Sequence, residues 1–281
     1  MKKYELTEDT KTLADGTVLH RIRALRDFTL VDGTKVREGD LGGWVERDDN
    51  LSQDGEAWVY GSARVGGEAC VSGSARVCGS AWVCGSAWVY GEARVYGEAR
   101  VGDSAWVYGS ARVSGSARVS GSACVYDEAE VSGSARVSGS ARVSGSARVS
   151  GSARVSGSAC VYDEAEVSGS ARVSGSARVS GSACVSGEAH VCGEAHVSGE
   201  ACVSDICDYA VYKNTWSSGR WFTYTRSNRM WKVGCFHGTG EELIAKAYKD
   251  SELSGRSYEA IVRAQEAVDR AIEKDEKKRM K

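Results

Sequence analysis

Three groups of residues are of types that carry chemistry. Cys184, His190, Cys192, His196 and Cys202 could ligate a metal or move protons. Arg136, Arg142, Arg148 and Arg154 recur at every sixth residue with no acid between them, the makings of an anion-binding belt for nucleotides or phosphates. Near the C-terminus, Trp216, Arg220, Trp221, Tyr224, Arg226, Arg229, Trp231 and Lys232 mix rings with cations, a combination that can stack bases or sugars. Which of these residues meet depends on the elements that hold them.

The central chain is a repeat of six. Valine recurs from Val59 to Val203 at every sixth position, 25 times without a miss, and alanine does the same from Ala57 to Ala201. Ala and Val two apart lie on one face of a short strand, and the residues between them lie on the other. A fixed corner follows each Val. It is Gly at 21 of 25 repeats, and Asp103, Asp127, Asp163 and Asp205 stand at the others. Gly, and after it Asp, tolerates the left-handed backbone that a sharp corner needs. With 34 Gly and no Pro, the chain uses one turn type many times. One rung cannot bury its own Val, so the rungs must stack.

The unit Val-Ser-Gly-Ser-Ala-Arg resembles the hexapeptide-repeat left-handed parallel β-helix. The resemblance covers residues 57–204 and implies the left hand, three hexads per coil and often a trimer. Twenty-five hexads then make about eight coils, a prism on the order of 40 Å long at about 4.8 Å per coil. A coiled coil is excluded by the period, and a disordered Gly/Ser linker by the unbroken valines.

A coil of three hexads sorts the outward residues before each Val into three ladders. One runs from Arg64 through Trp82, Arg100, Arg118, Arg136, Arg154 and Arg172 to His190. A second runs from Trp58 through Arg76, Arg94, Arg112, Glu130, Arg148, Glu166 and Cys184 to Cys202. The third runs from Cys70 through Trp88, Trp106, Cys124, Arg142, Cys160 and Arg178 to His196. His190 and His196 fall on different faces, so no tetrahedral metal site is expected. The arginines read either as an anion belt or as a solvated surface that keeps stacked strands apart. Trp58, Tyr60, Trp82, Trp88, Tyr90, Tyr96, Trp106 and Tyr108 are all expected to point outward, which suggests an oligomer or partner interface.

The flanks read as caps. Residues 1–50 hold short strands at about 17–25 and 28–31, an Asp32-Gly33 turn, and the run Leu41-Gly42-Gly43-Trp44-Val45 leading to Leu51. Residues 205–281 form an α+β unit. Strands fall at about 208–213, 220–226 and 230–236, joined by Ser217-Ser218-Gly219 and Ser227-Asn228. A capping box at Thr239-Gly240-Glu241-Glu242 opens a helix. A second helix from about Ser254 buries Tyr258, Ile261, Val262, Val268 and Ile272 and ends in a charged tail, Glu273–Lys281. The Trp/Tyr cluster at 216–232 either binds a ligand or plugs the open end of the prism. The segments Leu41–Glu46 and Gly234–Leu243 are similar to those of solenoid proteins of phages and prophages.

Net charge is −2 and no apolar run reaches the roughly 20 residues of a membrane span. Ten cysteines without an apolar leader read as reduced thiols in a cytoplasmic protein, that of the host if the source is a phage. The expected function is a non-enzymatic scaffold presenting regular faces to a protein partner or to itself, as in a homotrimer. No cofactor and no membrane contact are expected. Two alternatives stand beside it. One is a sequestering or inhibitory binder of a nucleotide or host protein. The other is an acyltransferase of the hexapeptide-repeat kind, whose rungs are usually broken by a loop and served by a His base; here no loop interrupts residues 57–204.

Overall fold

The computed structural model describes residues 2–216 and 219–279. Twenty-five two-residue strands, from Trp58–Val59 to Cys202–Val203, stack in parallel into three flat sheets. Each rung pairs with the rung three hexads on, as Trp82 with Arg100 and Val83 with Val101. The coil is therefore three hexads, and about nine coils make a three-sided parallel β-solenoid. Backbone amides donate up the stack: Trp58 N to Ala75 O at 3.0 Å, Tyr60 N to Val77 O at 2.8 Å and Ser62 N to Gly79 O at 3.1 Å. Every repeat Val and Ala is buried.

The corner behaves as its composition requires. Gly151 has φ +65°, and a Cβ there would meet the backbone oxygen and nitrogen of Gly169 at 2.9 and 3.0 Å. Asp103, Asp127 and Asp163 also have positive φ. Each compensates by accepting a hydrogen bond on its carboxylate from the Gly amide of the next coil, Gly121, Gly145 and Gly181 respectively. Asp205 does not share this geometry. Its φ is −137°, because it caps the one-turn helix Ile206–Asp208 where the solenoid has ended.

The stack begins out of step, with Val45 over Val65 and Leu51 over Val71, and settles to the three-hexad offset at Val59 over Val77. Ahead of it lie β1 (Tyr4–Thr12), β2 (Val18–Ala24), β3 (Phe28–Thr29), β4 (Lys35–Val36) and β5 (Leu41–Val45). β1 has only Leu6 as a candidate core residue beyond Tyr4, which is why its sequence gives no strand pattern. It pairs antiparallel with β2, and β2 with β5, which extends one solenoid sheet to eleven strands. The first coil's orphan carbonyls find donors in side chains. Asn50 Nδ2 donates to Gly67 O and Ala69 O at 3.0 and 2.8 Å, and Lys3 Nζ donates to Ala57 O at 2.9 Å. Burial, reinforced by Arg26, lowers the Lys3 amine to about 8.

At the other end, strands Tyr209–Lys213, Trp221–Thr225, Met230–Val233 and Phe236–Thr239 form an antiparallel sheet, followed by α1 (Gly240–Asp250) and α2 (Glu252–Arg279). The expected turn at Ser217 and Ser218 lies outside the described residues. Thr239 and Glu242 form the reciprocal cap that starts α1. The last coil's orphan amides are met by hydroxyls, not plugged by tryptophans: His196 N donates to Thr223 Oγ1 and Cys202 N to Ser227 Oγ, both at 2.8 Å. Phe222, Tyr224 and Trp231 turn away from the prism to form a separate core with Leu243, Ile244 and Val262. On α2, Val268 is 49% exposed, and Gln265 and Asp269 face the sheet beside Val262. Both are held there by tyrosines, Tyr212 Oη donating to Gln265 Oε1 at 2.6 Å and Tyr224 Oη to Asp269. The expected charged tail is helical through Arg279, because Glu273 and Glu276 bind Arg229 and Arg226 in the turn between strands Trp221–Thr225 and Met230–Val233. Among the described residues, no helix is long and apolar enough to cross a membrane.

Replacing Gly151 by Asp is expected to preserve the fold, while Gly151→Val costs about 1–3 kcal/mol by forcing a branched side chain into left-handed backbone. The urea midpoints of the two variants check this; equal midpoints would mean the corner makes no demand on φ.

Candidate functional site

The register reproduces the three ladders, and they differ in chemistry. The arginine face carries Arg100, Arg118, Arg136, Arg154 and Arg172 on successive rungs, all exposed. None of the five is in an ion pair among the described residues. The mixed face alternates sign, Arg112, Glu130, Arg148, Glu166. The four arginines of the expected belt therefore do not converge. Arg136 and Arg154 are neighbours on the arginine face, Arg148 lies between two glutamates on the mixed face, and Arg142 lies between Cys124 and Cys160 on the third.

That third face is aromatic. Trp88 and Trp106 stack at 5.9 Å and are 44% and 42% exposed. Beside them Tyr90, Tyr108 and Tyr126 stack at 5.0 Å per step, within 4° of parallel. Tyr90 also meets Trp106 edge-on at 6.1 Å, which joins the two columns into one platform. Tyr126 was not among the expected interface residues, although its place one coil after Tyr108 was the signal.

The other expected interface aromatics lie elsewhere. Trp82 is on the arginine face, with the guanidinium groups of Arg64 and Arg100 at 5.1 and 5.9 Å from its ring. Tyr60 and Tyr96 are on the mixed face. Trp58 is not outward in any useful sense. It is 1% exposed, because the rings of Tyr4 and Phe28 close over it edge-on at 6.2 and 5.3 Å. It anchors the N-terminal cap.

In the aromatic-basic segment, Tyr224 and Trp231 are core, and Arg226 and Arg229 are tied to α2. Arg220, Trp221 and Lys232 remain at the surface, where they form a cleft of about 170 Å³ with Arg178, Glu194 and His196 of the last coils. Burial, together with Arg178 and Lys232, lowers the His196 imidazole from its ordinary 6.5 to about 4. His190 lies on the arginine face, next to Arg172. The two histidines thus stand on different faces, and among the described residues no three His, Cys, Asp or Glu side chains are grouped to hold a metal ion.

The fold and these faces define a capped parallel β-solenoid with one cationic, one alternating and one aromatic side. No family model matches the chain. Over 67 residues it is 36% identical to the Escherichia coli (strain K12) protein named "Uncharacterized acetyltransferase YdcK", a match covering 21% of this chain and 19% of that protein. The match thus spans about a fifth of the relative's length.

A His196 with a lowered folded-state pKa contributes stability that is whole above pH 6.5 and is lost as pH falls through 4. Urea midpoints at pH 7.5 and pH 4.5 are expected to differ more in the native chain than in His196→Asn; an unchanged difference would place the acid sensitivity elsewhere.

Proposed function

We propose that the protein is a non-enzymatic interaction scaffold that associates through its aromatic face, with a second copy of the chain as the occupant. The observation that carries this reading is the double column of exposed Trp88 and Trp106 beside half-buried Tyr90, Tyr108 and Tyr126 on a flat sheet. The outward strand residues from Cys70 through Trp88 and Trp106 to Cys124 carry no charge, and the exposed Glu92, Asp103, Asp127 and Glu128 stand at the corners beside them, so two copies meet on neutral strands with the carboxylates at the edge. Two such faces also share one rung spacing, so the columns of one can lie alongside those of the other in register. Rigid aromatics lose little entropy on docking and dominate interface energetics. A source in a phage or prophage, and residence in the host cytoplasm, belong to the same proposal and rest on the resemblance of the terminal segments.

Sedimentation velocity is the test. The native chain is expected to run as a dimer or trimer, and the double variant Trp88→Ser, Trp106→Ser as a monomer with its fold intact. A native monomer, or a variant of native mass, would sink the reading.

Acyl transfer is the second reading, favoured by the match to the E. coli protein named as an acetyltransferase. The cleft around His196 supports it, since Arg178 and Lys232 could take the phosphates of an acyl carrier and the neutral imidazole could accept a proton. Calorimetry with acetyl-coenzyme A decides: saturable binding lost in Arg178→Gln is expected under this reading, and no heat of binding removes it.

A further inference from the structure

A missing ring points to a binding site apart from the aromatic face. In that face Tyr90, Tyr108 and Tyr126 occupy three successive rungs and stack without a gap. The equivalent column of the mixed face reads Tyr60, Cys78, Tyr96. A thiol stands where the middle ring would be. The outer tyrosines are two rungs apart, about 9.6 Å, so a planar ring entering midway lies about 4.8 Å from each. That is the spacing the complete tyrosine column adopts, and it is within the range aromatic pairs prefer.

The gap is flanked by the N-terminal cap. The loop between β3 and β4 reaches over it with Asp32 and Thr34, and the resulting cavity is about 470 Å³, the size of a small-molecule pocket. Its walls carry three arginines against one acid. Arg76 is buried and ion-paired with Asp32, whose carboxyl it holds well below the usual range. Arg94 and Arg112, on the next two rungs, line the same cavity, and neither makes an ion pair among the described residues. The Tyr60 hydroxyl is buried there and meets no hydrogen-bond partner. An aromatic slot, two unpaired guanidinium groups and an unsatisfied hydroxyl thus converge in one cavity.

We propose that this cavity binds a planar aromatic anion, its ring between Tyr60 and Tyr96 over Cys78 and its charged group on Arg94 and Arg112. Phosphate and carboxylate both suit the guanidinium fork. A mononucleotide and an aromatic carboxylate therefore share the chemistry, and the two arms of the experiment separate them. The site is independent of association through the aromatic face.

The test is calorimetry of the full chain with AMP and, separately, with 2-naphthoate. Saturable binding of one is expected, and the arm that binds names the anion. Arg94→Gln is expected to weaken it by about tenfold or more, the effect of losing one charge-assisted bond. Arg148→Gln, on the same face beyond the cavity, leaves it unchanged. Cys78→Tyr completes the tyrosine column and is expected to abolish binding without lowering the urea midpoint. In the native chain the bound ligand should slow maleimide labelling of Cys78, read by peptide mass mapping, which does not depend on any variant folding. Failure of both probes to bind, native affinity in Cys78→Tyr, or unprotected Cys78 in the presence of saturating ligand would each overturn the proposal.

Discussion

The structure depends on one closure condition: the amide of each rung residue must reach a carbonyl one coil further along the chain, as Trp58 N reaches Ala75 O. Three hexads of strand and corner satisfy it, and an insertion that did not loop out and return to the same corner would break the register of every ladder above it. The valines and alanines fill a core too narrow for larger side chains, while the left-handed corners let the chain change direction without spending further residues. Backbone pairing and side-chain stacking thus enforce the same repeat.

Such a stack leaves orphan donors at one end and orphan acceptors at the other, and both ends are treated as polar problems before apolar ones. The amide of Asn50 and the amine of Lys3 stand in for the missing coil below. The hydroxyls of Thr223 and Ser227 stand in for the missing coil above. Large rings pack against the solenoid core at its ends, Trp58 under Tyr4 and Phe28 at one and Tyr209 at the other, while Trp231 belongs to the separate core of the C-terminal sheet and helices.

With the core fixed, each outward column is a one-dimensional array whose chemistry is set by residues one coil apart. The result is segregation. Alternating charge on the mixed face suits a solvated surface, whereas directly opposed like charges on the arginine face are unfavourable unless screened. The third face is aromatic in its first coils and carries Arg142 and Arg178 further along. Along the shaft, concave sites arise where a cap overhangs it, as at the loop around Asp32 and at the cleft beside His196.

The solenoid was legible in the sequence because its cause is strictly periodic. Unbroken valines, alanines and left-handed corners define coil, face and register by counting, and the ladders follow, down to Glu130 and Glu166 on either side of Arg148. Counting could not say which outward residues the caps cover. Trp58 and Trp88 occupy the same position in their hexads, yet one is buried by Tyr4 and Phe28, from segments well before the repeat, and the other is exposed. Nor could it show that Gln265 and Asp269 face a sheet, since their burial depends on tyrosine hydroxyls supplied by other strands. Local pattern fixed what each repeat does to its neighbours. Contacts between segments without a common period, which no spacing encodes, decided which surfaces are left for a partner or a ligand.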